Sequence, residues 1–280
     1  MNIRSASLLL STALLFTACT QNKAGLMELS RQNTAIVNGT AALPQDLVTA
    51  STVALIAEFE GQPYSFCTGT LISEDLILTA SHCLEYTEKA SDVSIFFGAT
   101  LPTQMSDARI LKVANFERHS GYEMIYDDSG DPVTAINDVA VIRLSEKAPT
   151  EKVVTSILAP ETELKAGQSL LLAGYGLIDD VKGVRAQGLY FTSVPLAKVW
   201  DTILVTDQGR SGACSGDSGG PAFLETANGL VVAGVTRGPH DKATDCHSYG
   251  EYTYASKHKQ FILDSAKKLG AQPPQFVDLK

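Results

Sequence analysis

The chain has 280 residues, 44% of them hydrophobic and 19% charged, with a formal net charge of −9. That length suits one large all-β domain or two small lobes sharing an interface, and the composition is that of a globular chain, not a disordered one. The acidic balance argues against general nucleic-acid binding, which needs clustered Lys and Arg to neutralise phosphates; its ordinary consequence is solubility.

Residues 1–18 read as an export signal. Arg4 makes a short positive start, and Ala6 to Phe16 is an apolar run too short to cross a bilayer as a stable helix. Thr17-Ala18-Cys19 follows and resembles the lipobox of bacterial lipoproteins, although Phe16 stands where such boxes usually have Leu. In that family the chain is cut before the cysteine and the cysteine is lipidated. The resemblance implies a bacterial envelope protein that meets the membrane only through a lipid on Cys19. The alternative is an ordinary secretory signal; either one sends the chain out of the cytoplasm. Residues 19–35 lack a strand pattern and are expected to be a tether or propeptide.

From Ile36 onward, short runs rich in Val, Ile, Leu and Phe recur between turn residues: Thr52–Phe59, Gly69–Ser73, Leu76–Thr79, Val93–Phe97, Val139–Leu144, Leu170–Ala173 and Leu230–Val235. Many short strands with regular turn signals indicate an all-β sandwich or barrel. Gly121 to Ala135 is polar and is expected to be a surface loop. Its acids Asp127, Asp128 and Asp131 lack EF-hand spacing, and no metal is expected. Lys147 to Glu151, with Pro149, reads as the crossing between lobes of about 36–148 and 149–270. From Ala255 to Leu269 the residues Phe261, Ile262, Ser265, Ala266 and Leu269 share one helical face. Gly270 is placed as a cap and Pro273-Pro274 as a stop.

Three segments contain the chemistry. Cys214-Ser215-Gly216-Asp217-Ser218-Gly219-Gly220-Pro221 sets a hydroxyl among small residues, where backbone N–H groups can approach a developing oxyanion. A serine hydroxyl is a poor nucleophile at neutral pH and needs a base held in one tautomer. Of the five histidines, His119, His240, His247 and His258 lie in unremarkable polar or helical surroundings, whereas His82 stands in Leu78-Thr79-Ala80-Ser81-His82-Cys83, just after an apolar strand. Asn137-Asp138-Val139-Ala140-Val141-Ile142-Arg143-Leu144 opens an apolar strand with a carboxylate, a costly position unless the charge is paired.

These segments resemble the active-serine motif, the Thr-Ala-Ala-His-Cys box (with Ser81 for one Ala) and the Asp-Ile-Ala-Leu-Ile-Lys-Leu strand of trypsin/chymotrypsin-like serine proteases. The resemblance covers about residues 36–270. It implies two packed six-stranded antiparallel Greek-key β-barrels with a C-terminal helix, a cleft between them, a protein or peptide substrate, no cofactor and a monomer. It assigns Ser218 as nucleophile, His82 as base and then acid, and Asp138 as the residue that orients His82. The N–H groups of Gly216 and Ser218 become the oxyanion hole.

Ile36-Val37-Asn38-Gly39 resembles the N-terminus of activated members. It implies a zymogen cut before Ile36, whose new α-ammonium pairs with Asp217. Ala35 precedes that bond, so the expected activating protease is not trypsin-specific. Gly212 falls at the base of the family's primary pocket, and Gly238 and Gly250 on its walls, implying a roomy uncharged pocket for large apolar or aromatic side chains. Arg237 replaces the usual Trp and is expected to stack or to select acidic residues nearby. Thr236 replaces the usual Ser and keeps a hydroxyl for Asp138.

Besides Cys19, the chain has Cys67, Cys83, Cys214 and Cys246, an even number in an exported protein. Four cysteines allow three pairings. The expected one is Cys67–Cys83 with Cys214–Cys246, each worth about 3 to 4 kcal/mol in the chain-entropy model. Zinc is disfavoured by wide spacings without a Cys-x-x-Cys pair. Two other functions compete. A catalytically inactive relative acting as a binding or adhesion protein is opposed by the presence of all three triad residues. An α/β-hydrolase esterase is opposed by Gly-Gly-Pro after the serine and by an acid that precedes it.

Overall fold

The computed structural model describes residues 36–240 and 245–279. The export signal, Cys19, the tether and Ala35 lie outside the described residues. The first barrel is closed by six antiparallel strands, Thr52–Phe59, Gln62–Ser73, Leu76–Thr79, Ser94–Phe96, Ile110–Arg118 and Ala140–Leu144. Leu76–Thr79 is buried along its whole length, and Ala140–Leu144 at every position except Arg143, which explains why both read so plainly as strands.

The second barrel is closed by Ser169–Gly174, Tyr190–Val199, Ile203–Asp207, Pro221–Thr226, Gly229–Pro239 and Tyr249–Tyr254. Ser156–Leu158 adds to it in parallel beside Gly229–Pro239, and Phe276–Val277 adds in parallel beside Ser156–Leu158. Its interior includes Leu170, Leu172, Leu204, Ala233, Tyr252 and also Ile36. The fold is the expected pair of six-stranded barrels, and the segment between Leu144 and Ser156 joins them.

Each end of the described chain straps one barrel to the other. Thr40 and Ala41 pair with Phe191 and Tyr190 of the second barrel before the chain enters the first. The helix Lys259–Leu269, preceded by a 3-10 turn Ala255–His258, buries Ile262, Ala266 and Leu269 in the core that also holds the first barrel's residues. Arg143 donates to the carbonyl of Leu269, and Lys268 reaches Glu117 at 2.7 Å. Gly270 ends the helix in the left-handed region at φ 68°, as a C-terminal glycine cap does.

One expectation is corrected. Gly121–Ala135 is not a plain loop but most of a β-hairpin, Glu123–Tyr126 against Pro132–Ile136. The Asp127 carboxylate accepts the N–H groups of Ser129 and Asp131, so this acid organises the hairpin turn. The hairpin projects along the cleft, which its sequence alone did not disclose.

Candidate active site

His82 leaves the strand Leu76–Thr79 in a single 3-10 turn, and Asp138 stands two residues before Ala140–Leu144, the strand paired with it. Asn137 adopts φ 50°, a left-handed conformation that Asn tolerates, and this turns the chain inward at Asp138. Asp138 is 1% exposed. Its Oδ1 accepts the His82 backbone N–H at 2.9 Å, and its Oδ2 lies 2.7 Å from His82 Nδ1. A carboxylate at that distance places the proton on Nδ1 and leaves Nε2 as the basic nitrogen. Ser81, where the family box has Ala, donates its hydroxyl to the Val139 carbonyl at 2.6 Å and so ties the histidine turn to the Asp138 strand.

The segment around Ser218 reaches the same place from the second barrel. Thr68 N–H donates to the Ser218 carbonyl at 2.8 Å, and Thr68 Oγ1 to the Gly216 carbonyl at 2.9 Å. Gly219 N–H donates to the Thr236 carbonyl at 2.8 Å, fixing the other side. The Cys67–Cys83 disulfide sits between the partners: Cys83 Sγ is 3.9 Å from His82 Nε2 and 3.5 Å from the Ser218 carbonyl oxygen. Among the described residues the Ser218 hydroxyl is not hydrogen-bonded to His82, a bond that commonly tightens only when substrate arrives. Gly216 takes φ 98°, and a Cβ there would stand 2.8 Å from Gly176 Cα, so this turn requires glycine. Among the described residues no hydrogen bond occupies the N–H of Gly216 or of Ser218.

Asp217 points away from the cleft into the second barrel. It is 0% exposed, with Oδ1 accepting from Gly176 N–H and Oδ2 from Cys214 N–H, both at 2.8 Å. Burial outweighs these two bonds and pushes its carboxyl up to about 7. Ile36 is also 0% exposed and has φ 41°, a conformation that β-branched residues avoid. The following residue, Val37, bridges to Gly212, whose N–H donates to the Val37 carbonyl at 3.1 Å.

Two cavities flank Ser218 and His82. The larger, about 510 Å³, lies between the hairpin, Arg237–Pro239, His82 and Asp138. Arg237 is not free to attract a ligand carboxylate: its side chain is 5% exposed, 3.4 Å from Glu251 Oε2. It donates to Thr134 Oγ1 at 2.8 Å, Thr134 donates on to Glu251 at 3.0 Å, and His240 Nδ1 meets the other Glu251 oxygen at 2.7 Å. Thr134 belongs to the hairpin, so this buried network ties the first lobe to the second across the cleft.

The smaller cavity, about 200 Å³, is lined by Ser218, Ser215, Thr236, Gly238, Gln208 and the Cys214–Cys246 disulfide among others. Gly212 and Gly250, expected on its base and wall, do not line it: the Gln208 side chain fills the space their missing Cβ atoms leave. Thr236 also differs from expectation. Its hydroxyl donates to the Gly220 carbonyl at 3.0 Å, and Thr253, on the adjoining strand, donates to the Asp138 carbonyl at 2.8 Å.

Two barrels, a histidine–carboxylate pair and a glycine-bound serine define a class of protein, and comparison with known sequences agrees. The family model for trypsin matches residues 36–262, and the chain belongs to that family. It is 28% identical to a trypsin of Sarcophaga bullata over 73% of this chain and 85% of the relative. It is likewise 28% identical to kallikrein 1-related peptidase b24 of Mus musculus over 76% and 84%. With mannan-binding lectin serine protease 1 of Rattus norvegicus it shares 26% identity over 85% of this chain but spans only 36% of that relative's length.

Proposed function

We propose that the protein is a serine endopeptidase, working through His82, Asp138 and Ser218 and an acyl-enzyme intermediate. The observation that supports it most is the buried Asp138 holding His82 Nδ1 at 2.7 Å beside the Ser218 turn. In this reading Ser218 Oγ attacks the scissile carbonyl while His82 Nε2 takes its proton. Asp138 stabilises the imidazolium that results. The N–H groups of Gly216 and Ser218 receive the oxyanion, and His82 then protonates the leaving amine. Water repeats the sequence on the acyl-enzyme.

The chain is exported and made as a zymogen. Two disulfides suit an oxidising compartment. Cutting before Ile36 abolishes the torsion now held at φ 41° and frees an ammonium inside a barrel whose interior holds the unpaired Asp217 carboxyl. Such a cut also separates the domain from a lipid on Cys19. The test is fluorophosphonate labelling of protein beginning at Ile36, with Ser218→Ala as control. The control is expected to lose labelling and on the order of 10⁶ in turnover; equal labelling of both rejects the mechanism. Mass analysis of active material with an intact Ala35–Ile36 bond rejects the zymogen.

A further inference from the structure

We propose that Gln208 sets the side-chain preference of the primary pocket, which takes an uncharged side chain bearing a hydrogen-bond acceptor, a carboxamide first of all. The inference rests on the hydrolase reading above. Gln208 is 3% exposed and lies between two glycines. A Cβ at Gly212 would stand 2.6 Å from its Cγ, and one at Gly250 would stand 2.7 Å from its Cδ. The glycines therefore make room for Gln208, not for a substrate ring. What remains beside Ser218 is a cavity of about 200 Å³, below the usual range of small-molecule sites.

A buried carboxamide needs partners, and those of Gln208 fix its orientation. Its Oε1 accepts Ala213 N–H at 3.0 Å and Tyr252 O–H at 2.7 Å, which fills both lone pairs. Its Nε2 makes one long contact, 3.4 Å, to the Ala213 carbonyl. The hydrogen-bonding capacity left at the pocket floor is thus that of a donor. A Gln or Asn side chain presents a carbonyl to it. A Lys or Arg head would set donors against that donor, and Asp245, the carboxylate lining this cavity among the described residues, is exposed and already accepts the His247 N–H. Among the described residues a carboxylate would meet no free counter-charge, since Arg237 on the wall is already held by Glu251 and Asp245 lines the same cavity. An aromatic ring would have to displace Gln208.

The test is a peptide library varied at the residue whose carbonyl is attacked, run on the Ile36-start protein and on Gln208→Glu and Gln208→Ala. The wild type is expected to favour Gln and Asn over Phe, Tyr, Lys and Arg. Gln208→Glu keeps acceptors for Ala213 and Tyr252 but puts a carboxylate on the floor. It should raise the ratio of Lys and Arg to Gln by on the order of 10²-fold, and Gln208→Ala should raise Phe and Tyr similarly. A wild-type profile led by aromatic or cationic residues, or a Gln208→Glu profile matching the wild type, overturns the proposal even if one variant fails to fold. Fluorophosphonate labelling reads the nucleophile independently of this pocket. A labelled wild type with a contrary profile overturns the pocket assignment alone. An unlabelled wild type overturns the hydrolase reading, and this inference with it.

Discussion

Asp217 gives a pH dependence that distinguishes the two forms of the chain. Its carboxyl is fully buried, with two backbone N–H partners, and burial pushes it from 3.8 up to about 7. The native state therefore holds a proton that the unfolded chain has already released. Stability from this group is complete below about pH 4 and is lost as pH rises to about 7. At about 1.36 kcal/mol per unit the loss is about 4 kcal/mol, or about 2 M in urea midpoint for a slope of about 2 kcal/mol/M.

The measurement is urea unfolding from pH 4 to 8 of Ser218→Ala protein, with and without Asp217→Asn. It is made on a chain extending before Ile36 and on one beginning there. Asn offers one acceptor where two N–H groups converge, an offset of about 1–3 kcal/mol that does not vary with pH. In the extended chain, the parent should lose about 4 kcal/mol relative to the Asn variant across that range. In the chain beginning at Ile36, a buried ammonium offsets the desolvation and the difference should flatten or reverse. Parallel curves for parent and variant in the extended chain would refute the unpaired buried carboxyl, and identical behaviour of the two chains would refute its pairing with Ile36.

Asp138→Asn keeps the shape beside His82 but offers an amide to Nδ1. Turnover of a peptide substrate should fall by on the order of 10⁴, and a loss under tenfold would remove Asp138 from its role. Glu251→Ala leaves the Arg237 charge buried without its partner. Urea unfolding should register a loss of about 3–5 kcal/mol, and no change would mean that Arg237 is hydrated in place. Burial first, then His119 and Arg237, hold His258 down at about 4, and its Nε2 has no hydrogen-bond partner among the described residues. Its contribution is full above about pH 6.5 and is lost as pH falls through 4, about 3 kcal/mol in all. His258→Phe should therefore unfold at lower pH than the parent in an acid titration followed by near-UV circular dichroism; an unchanged midpoint counts against it.

What the sequence disclosed depended on how each segment is stabilised. Leu76–Thr79 and Ala140–Leu144 are strands buried on both faces, and their apolar runs announce them. Tyr190–Val199 alternates exposed and buried positions over residues 193–196 and includes Pro195, and Pro132–Ile136 buries only Ala135. Both owe their conformation to a neighbouring strand, which leaves little local trace. The chemical groups were legible because a serine among glycines and a carboxylate opening an apolar strand are costly without a purpose. Their supports were not. The contact expected of Thr236 comes instead from Thr253, which sits opposite Val235 in the paired strand, one residue away in register and seventeen in sequence.

The departures from the family pattern make sense only as pairs across that same sheet. Arg237 alone suggests a subsite that attracts acids. The strand register sets Glu251 opposite Gly238, next to it, and the resulting ion pair with Thr134 and His240 takes up the charge before a ligand can. Gly212 and Gly250 alone suggest an empty pocket. Yet a glycine records only that a Cβ is unwelcome, not which group occupies the space, and Gln208 reaches that space from a loop with no motif of its own. In both cases the pocket-forming position is fixed by family alignment, whereas the chemistry is decided by a residue packed against it. In the proposed reading, selectivity is therefore governed less by Gly212, Gly250 and Arg237, the positions the family pattern singles out, than by Gln208 and Glu251, which fill the space and balance the charge beside them.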